Sequence, residues 1–186
     1  MFLKILIAGD GATGKTTISK KLNGTLKEQQ ELIMTPGIDF HTLEISEDNS
    51  EAVIWDLGGQ QQFRSFQDSF FTKADIVILV FDVSFFETFL NIDSWLSMVN
   101  RDKVSQIYLI GNKVDLDNRA VTREEAEQYA KGHSLDYFEI SALTDTGFEE
   151  FKNDLLENAM NKAKVYQKES SEPQDFLLNE MAKERV

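Results

Sequence analysis

The sequence predicts an α/β fold: a six-stranded, mostly parallel sheet with one antiparallel edge strand and about five helices on both faces. Short apolar runs alternate with longer amphipathic stretches along most of the chain, the pattern of repeated strand–helix units. A single pair of strand-like runs is joined by a polar cluster alone, too short to hold a crossover helix, so that pair must be antiparallel. The first apolar run also leads straight into a glycine-rich loop and a helix, the usual opening of a doubly wound sheet.

Phe2 to Ala8 is the first strand, and a helix follows from about Lys15 to Leu22. Asp39 to Ser46 and Ala52 to Leu57 form the hairpin, turning at Glu47-Asp48-Asn49-Ser50-Glu51. A helix after Gln60 presents Phe63, Phe66 and Phe70 at i, i+3 and i+7, one apolar stripe. Three more strands, Ile76 to Phe81, Gln106 to Asn112 and Tyr137 to Ser141, each precede a helix. Those helices lie near Phe86 to Val99, Arg123 to Gly132 and Phe148 to Tyr166. Residues 1–166 are expected to form one domain, followed by a polar tail over 167–186. The tail holds a small apolar cluster (Phe176, Leu177, Leu178, Met181) and is either frayed or a short docking helix.

The chain has 186 residues, 41% of them hydrophobic, which is enough for one real core. Lys and Arg number 19 against 32 Asp and Glu, a net charge of -13 that argues against nucleic acid or anionic lipid as a generic partner. With no cysteine there is no disulfide, thiolate metal site, prenyl or palmitoyl group, and Phe2 stands where N-myristoylation needs glycine. Membrane contact is therefore expected only indirectly, and the expected location is cytoplasmic. A phosphate ligand on so acidic a chain needs a local positive field.

Gly9-Asp10-Gly11-Ala12-Thr13-Gly14-Lys15-Thr16 supplies that field, matching G-x-x-x-x-G-K-[ST] between a strand and a helix. This is the P-loop of nucleoside-triphosphate-binding folds. Gly11, Ala12, Thr13 and Gly14 offer backbone N–H groups, Lys15 reaches the outer phosphates, and Thr16, followed by Thr17, opens the helix. The Thr16 hydroxyl is placed to ligate Mg2+. Asp56, at the end of a strand, is a second magnesium candidate. Gly59 lets a backbone N–H approach a terminal phosphate, and Gln60 is a candidate to orient the attacking water.

Asn112-Lys113-Val114-Asp115 closes a later strand. The Asp115 carboxylate can accept from the ring N–H and exocyclic amine of guanine, an arrangement adenine lacks, while the Lys113 stem lies along the base.

With these motifs in series, the chain resembles a small GTPase of the Ras superfamily, nearest in pattern to the Rab and Ras branches, over about Phe2 to Tyr166. The resemblance implies GTP and GDP as substrate and product, Mg2+ as cofactor, and an exchange factor, a GTPase-activating protein and effectors as partners. It implies that Thr35 is the switch I residue that adds a hydroxyl to magnesium in the GTP state and acts with Lys15 and Gln60 in hydrolysis. It also implies that Ser141, Ala142 and Leu143 form the last base-contacting loop, with the Ala142 N–H on the guanine oxygen. Phe40, Trp55 and Phe70 fall on the hydrophobic triad that Rab proteins turn to effectors; ordinary core packing is the competing reading.

The chain departs from that pattern in several places. No aromatic residue stands between Thr16 and Thr35 to pack on the base; Leu26, Leu32 and Ile33 are the candidates to substitute, and looser nucleotide retention is expected. Pro36 biases Thr35 towards extended backbone, and Gly58 beside Gly59, as in Arf-like proteins, loosens switch II. No arginine occupies Leu32, Ile33 or Met34, so hydrolysis alone should be slow, on the order of 10⁻⁴ s⁻¹, unless a partner supplies one. Arg64 could act within the chain, although packing is its commoner use. His41 and His133 stand in polar stretches and carry no assigned chemistry. Two rivals stay open: a nucleotide-bound interaction module with little hydrolysis, and a nucleotide kinase, which would need the scattered Arg64, Arg101, Arg119 and Arg123 gathered in a lid.

Overall fold

A computed structural model describes residues 2–26, 35–45, 50–59 and 69–171. Gln60, Phe63, Arg64, Phe66, Leu32, Ile33 and the tail beyond 171 lie outside the described residues.

Among the described residues six strands form one sheet in the order β2-β3-β1-β4-β5-β6. They are β1 (Leu3–Ala8), β2 (Ile38–Glu44), β3 (Glu51–Leu57), β4 (Ile76–Asp82), β5 (Gln106–Asn112) and β6 (Asp136–Ile140). Only β2 runs antiparallel, against β3, with Phe40 opposite Trp55 and Asp39 opposite Asp56. Strand ends fall within two residues of those read from the sequence, the usual uncertainty of such boundaries. Among the described residues five helices accompany the sheet: α1 (Lys15–Leu22), α2 (Phe86–Leu90), α3 (Ile92–Leu96), α4 (Arg123–Gly132) and α5 (Phe148–Ser171).

Alternation along each central strand feeds two cores. Ile5, Ile7, Ile76, Ile78 and Val80 face α1 and α5, packing on Ile18, Phe148, Phe151 and Leu155. Leu6, Ala8, Val77, Leu79 and Phe81 face the other way, onto Ile92, Trp95, Ala126 and Ala130. With both faces covered, β4 is buried throughout and reads as an unbroken apolar run.

The structure amends three readings. The helix expected over Phe86 to Val99 is two short helices, Phe86–Leu90 and Ile92–Leu96, divided at Asn91. Helix α5 continues five residues past Tyr166, to Ser171. His41 keeps a polar neighbour but is not solvated: it points inward from β2, 9% exposed, with Nε2 lacking a hydrogen-bond partner and 3.6 Å from the Asp39 carboxylate. No described helix is long and apolar enough to cross a membrane.

Candidate functional site

The carboxyl ends of β1, β3 and β5 open on a cleft of about 370 Å³. Within it β1 delivers the chain into the loop 9–14, and α1 begins at Lys15. Gly14 has φ +96°, and a Cβ there would come within 2.2 Å of Asn112 Nδ2, so this turn admits only glycine. The loop is held from inside, because the Asp10 carbonyl accepts from Thr13 Oγ1 at 3.0 Å and from Lys15 Nζ at 2.7 Å. Lys15 is 5% exposed. Burial lowers its pKa to about 8, against the opposing pull of Asp56 and Asp10. An ammonium so placed, facing the cleft, favours an anion in front of it.

Beside it three oxygen-bearing side chains converge. Thr16 Oγ1 donates to Asp56 Oδ2 at 2.5 Å and lies 2.7 Å from Thr35 Oγ1. Asp56 comes from the buried end of β3, Thr16 from the first turn of α1 and Thr35 from the segment before β2. The second carboxylate oxygen, Asp56 Oδ1, is buried without a hydrogen-bond partner. Burial raises the Asp56 pKa, with the Thr16 hydrogen bond, Lys15 and His41 acting the other way. Two hydroxyls and a carboxylate with a vacant buried oxygen are hard oxygen donors that suit Mg2+. Gly59 follows on the same wall, packed so closely that a Cβ would meet the Asp10 carbonyl carbon at 2.3 Å.

The other end of the cleft is tied together by Asn112. Its Nδ2 donates to the Thr13 carbonyl at 2.8 Å, and its Oδ1 accepts from Ala142 N at 3.0 Å, so one buried side chain joins the phosphate loop to the loop after β6. Ser141 Oγ accepts from the N–H groups of Leu143 and Thr144, at 3.3 and 3.0 Å. Lys21, in the last turn of α1, donates to the Ala142 carbonyl at 3.0 Å and pairs with Asp145. Lys113 sits at φ +71° with Nζ 2.6 Å from Asp82 Oδ2. Burial would raise the Asp82 pKa, but hydrogen bonds from Lys113 and Ser84 outweigh it and hold the carboxyl below its usual value.

Of the nucleotide-binding candidates, Gly11, Ala12, Gly14, Lys15, Thr16, Thr17, Thr35, Gly59, Asn112, Lys113, Asp115, Ala142 and Leu143 line this one cleft. Thr13 and Ser141 stand behind the wall, acting through the hydrogen bonds just given. Leu116 also lines the cleft and was missed, although its place directly after Asp115 was a usable signal. Asp82 was missed for want of one, since it meets Lys113 only through the pairing of β4 with β5.

Away from the cleft, Phe40, Trp55 and Phe70 form a continuous aromatic row, with ring centroids 4.9 and 6.2 Å apart. Phe40 is 53% exposed, so the row is not simple core. Lys4 lies beneath it, Nζ 3.6 Å from the Trp55 ring centroid.

Comparison with known proteins decides what this architecture is. A model of the Ras family matches residues 4–161. The chain belongs to the Ras family. Within it the chain is Rab-like. It is 36% identical over 165 residues to Ras-related protein Rab-18-B of Danio rerio, covering 83% of this chain and 80% of that one. It is 31% identical over 175 residues to Ras-related protein Rab-18 of Lymnaea stagnalis, covering 90% and 85%. Ras-related protein Rab-27B of Rattus norvegicus is 33% identical over 176 residues, covering 86% and 80%. The Ras-family match spans β1 to α5 and therefore every described wall of the cleft. At the level of this family the chain is a small GTPase, a GTP-binding switch.

Proposed function

We propose that this chain binds GTP and GDP with Mg2+ in the cleft, hydrolyses GTP slowly by itself, and presents a different surface to partners in each state. One observation carries the reading: Thr16, Asp56 and Thr35 meet beside a buried lysine, with one Asp56 oxygen lacking a partner. A magnesium ion held by these three side chains would neutralise phosphate charge and fix the phosphates' orientation. The chain's own groups do the rest. Backbone N–H groups of 11–16 surround the phosphates, and Lys15 offsets charge on the outer ones. Asp115 selects guanine by hydrogen bonding, and Lys113, braced by Asp82, lies along the base. Gln60 orients the attacking water.

Because Thr35 contributes to the cation site, loss of the terminal phosphate releases the segment that carries it. Gly58 N–H donates to the Gly37 carbonyl at 2.7 Å, so the segments bearing Thr35 and Gly59 shift together. The aromatic row of Phe40, Trp55 and Phe70 lies next to both and is the surface effectors would read. An exchange factor and an activating protein complete the cycle, the latter supplying an arginine this chain lacks ahead of Thr35. The protein works in the cytoplasm and reaches membranes through partners.

Stopped-flow release of a fluorescent GDP analogue tests this, with and without magnesium and with GTP or ATP as competitor. Slow, magnesium-dependent release competed by GTP alone is the expected result. Equal competition by ATP would sink the guanine assignment. Tight GTP binding with no phosphate produced, even over hours, would leave a nucleotide-bound interaction module instead.

A further inference from the structure

The phosphate loop is fastened to the helices behind it by the side chain of Asp10. Both carboxylate oxygens are engaged: Oδ2 accepts from Asn91 Nδ2 at 2.6 Å, and Oδ1 accepts from Trp95 Nε1 at 3.0 Å. The carbonyl of the same residue accepts from Lys15 Nζ and Thr13 Oγ1 inside the loop. The next residue, Gly11, lines the cleft, and Gly59 packs against the Asp10–Gly11 peptide. One aspartate therefore carries hydrogen bonds in two directions, its side chain to the helix pair and its main chain to the phosphate-facing lysine.

Several features make this more than incidental packing. Trp95 is fully buried, so its indole N–H is a donor fixed in space by the apolar cluster around it. The break between α2 and α3 falls at Asn91, the residue that reaches Asp10. An anionic side chain beside a phosphate site also opposes the ligand electrostatically. The chain keeps one there with both oxygens drawn onto donors of α2 and α3.

We propose that Asp10, Asn91 and Trp95 form a clamp that sets the height of the phosphate loop, which makes Asp10 a positioning residue for nucleotide retention. It acts through the Lys15 ammonium and the Gly11 main chain and does not touch the nucleotide. The inference deepens the nucleotide-binding reading above and rests on it.

An exchange of donor and acceptor tests the clamp. In the full chain loaded with a fluorescent GDP analogue and Mg2+, Asp10→Asn leaves at best neutral hydrogen bonds in place of the charged ones, and Asn91→Asp sets two carboxylates face to face. Each single change should speed release at least about tenfold, since each loses a charge-assisted hydrogen bond. Combining Asp10→Asn with Asn91→Asp restores the bond with its direction reversed and should return release to within about threefold of the wild type. Trp95→Phe, which keeps most of the packing and removes the N–H, should also speed release and serves if a charged variant fails to fold. Singles that release within about twofold of the wild type would overturn the clamp. So would a double variant whose melting temperature recovers while its release stays fast, because the contact would then be structural only. A wild-type chain that never retains the analogue would overturn the nucleotide reading itself and the clamp with it.

Discussion

At the base end of the cleft, Asn112, Lys113 and Ser141 are each already hydrogen bonded or ion paired within the chain, whereas the phosphate end keeps Asp56 Oδ1 buried and unpartnered. The charges differ in the same way. Asp82, braced by Lys113 and Ser84, has its pKa lowered, while burial raises that of Asp56 and lowers that of Lys15 to about 8. A lowered carboxyl pKa means that neighbours already favour the charge, whereas a pKa moved by burial means that the charge is poorly compensated within the chain. On the reading proposed above, the base end is a prebuilt wall and the phosphate end would be completed by its ligand, so that loss of a phosphate would be felt by Thr35 while the base stays in place.

The sharpest way to break this contrast is Asp56→Asn. It should weaken GDP binding in Mg2+ by about 100-fold or more, yet leave the nucleotide-free chain at least as stable, because a buried carboxylate has been neutralised. Calorimetric titration and thermal melts read the two effects separately, and a nucleotide-free chain that melts lower would contradict the unfinished phosphate end.

At the base end the expected signs reverse. Asn112→Ala leaves the Ala142 N–H and the Thr13 carbonyl without their partner, so the nucleotide-free chain itself should lose about 2–4 kcal/mol, or roughly 5–15 °C in melting temperature. A smaller effect is expected of Asp82→Asn, which frees Lys113: GDP release should rise roughly threefold to tenfold. Since the folded Asp82 pKa is lowered, its stabilising contribution is present above the unfolded value of about 3.9 and disappears as pH falls through the folded one. The stability gap between wild type and this variant should therefore close in acid below about pH 4, as urea melts at stepped pH would show. Smallest of all, Phe40→Ala lies outside both ends and should leave GDP release within about twofold of the wild type.

How much of this was legible in the sequence depended on how far apart the interacting residues lie along the chain. The strands, the hairpin and the P-loop are local patterns, and each was readable from the residues it contains. Asn112 and Asp115 were legible as a pair at a strand end, but the link from Asn112 to Thr13 spans 99 residues and exists only once the sheet is assembled. The break at Asn91 was hidden for the same reason, because nothing in Phe86 to Val99 mentions the carboxylate 81 residues away that receives its side chain. The burial of His41 was not legible either, because it depends on where β2 lies against β3, with His41 opposite Ile54. The three-residue aromatic row was foreseen by resemblance, and the two readings of it left open are now narrowed by the exposure of Phe40.

The most direct test of the account is calorimetric titration of the nucleotide-free chain with GDP, once in magnesium and once in chelator. A phosphate end completed by its ligand predicts binding at least about 100-fold tighter with magnesium, and a loss of most of that difference in Asp56→Asn. Equal affinity in the two conditions, or a magnesium effect that Asp56→Asn leaves intact, would contradict it.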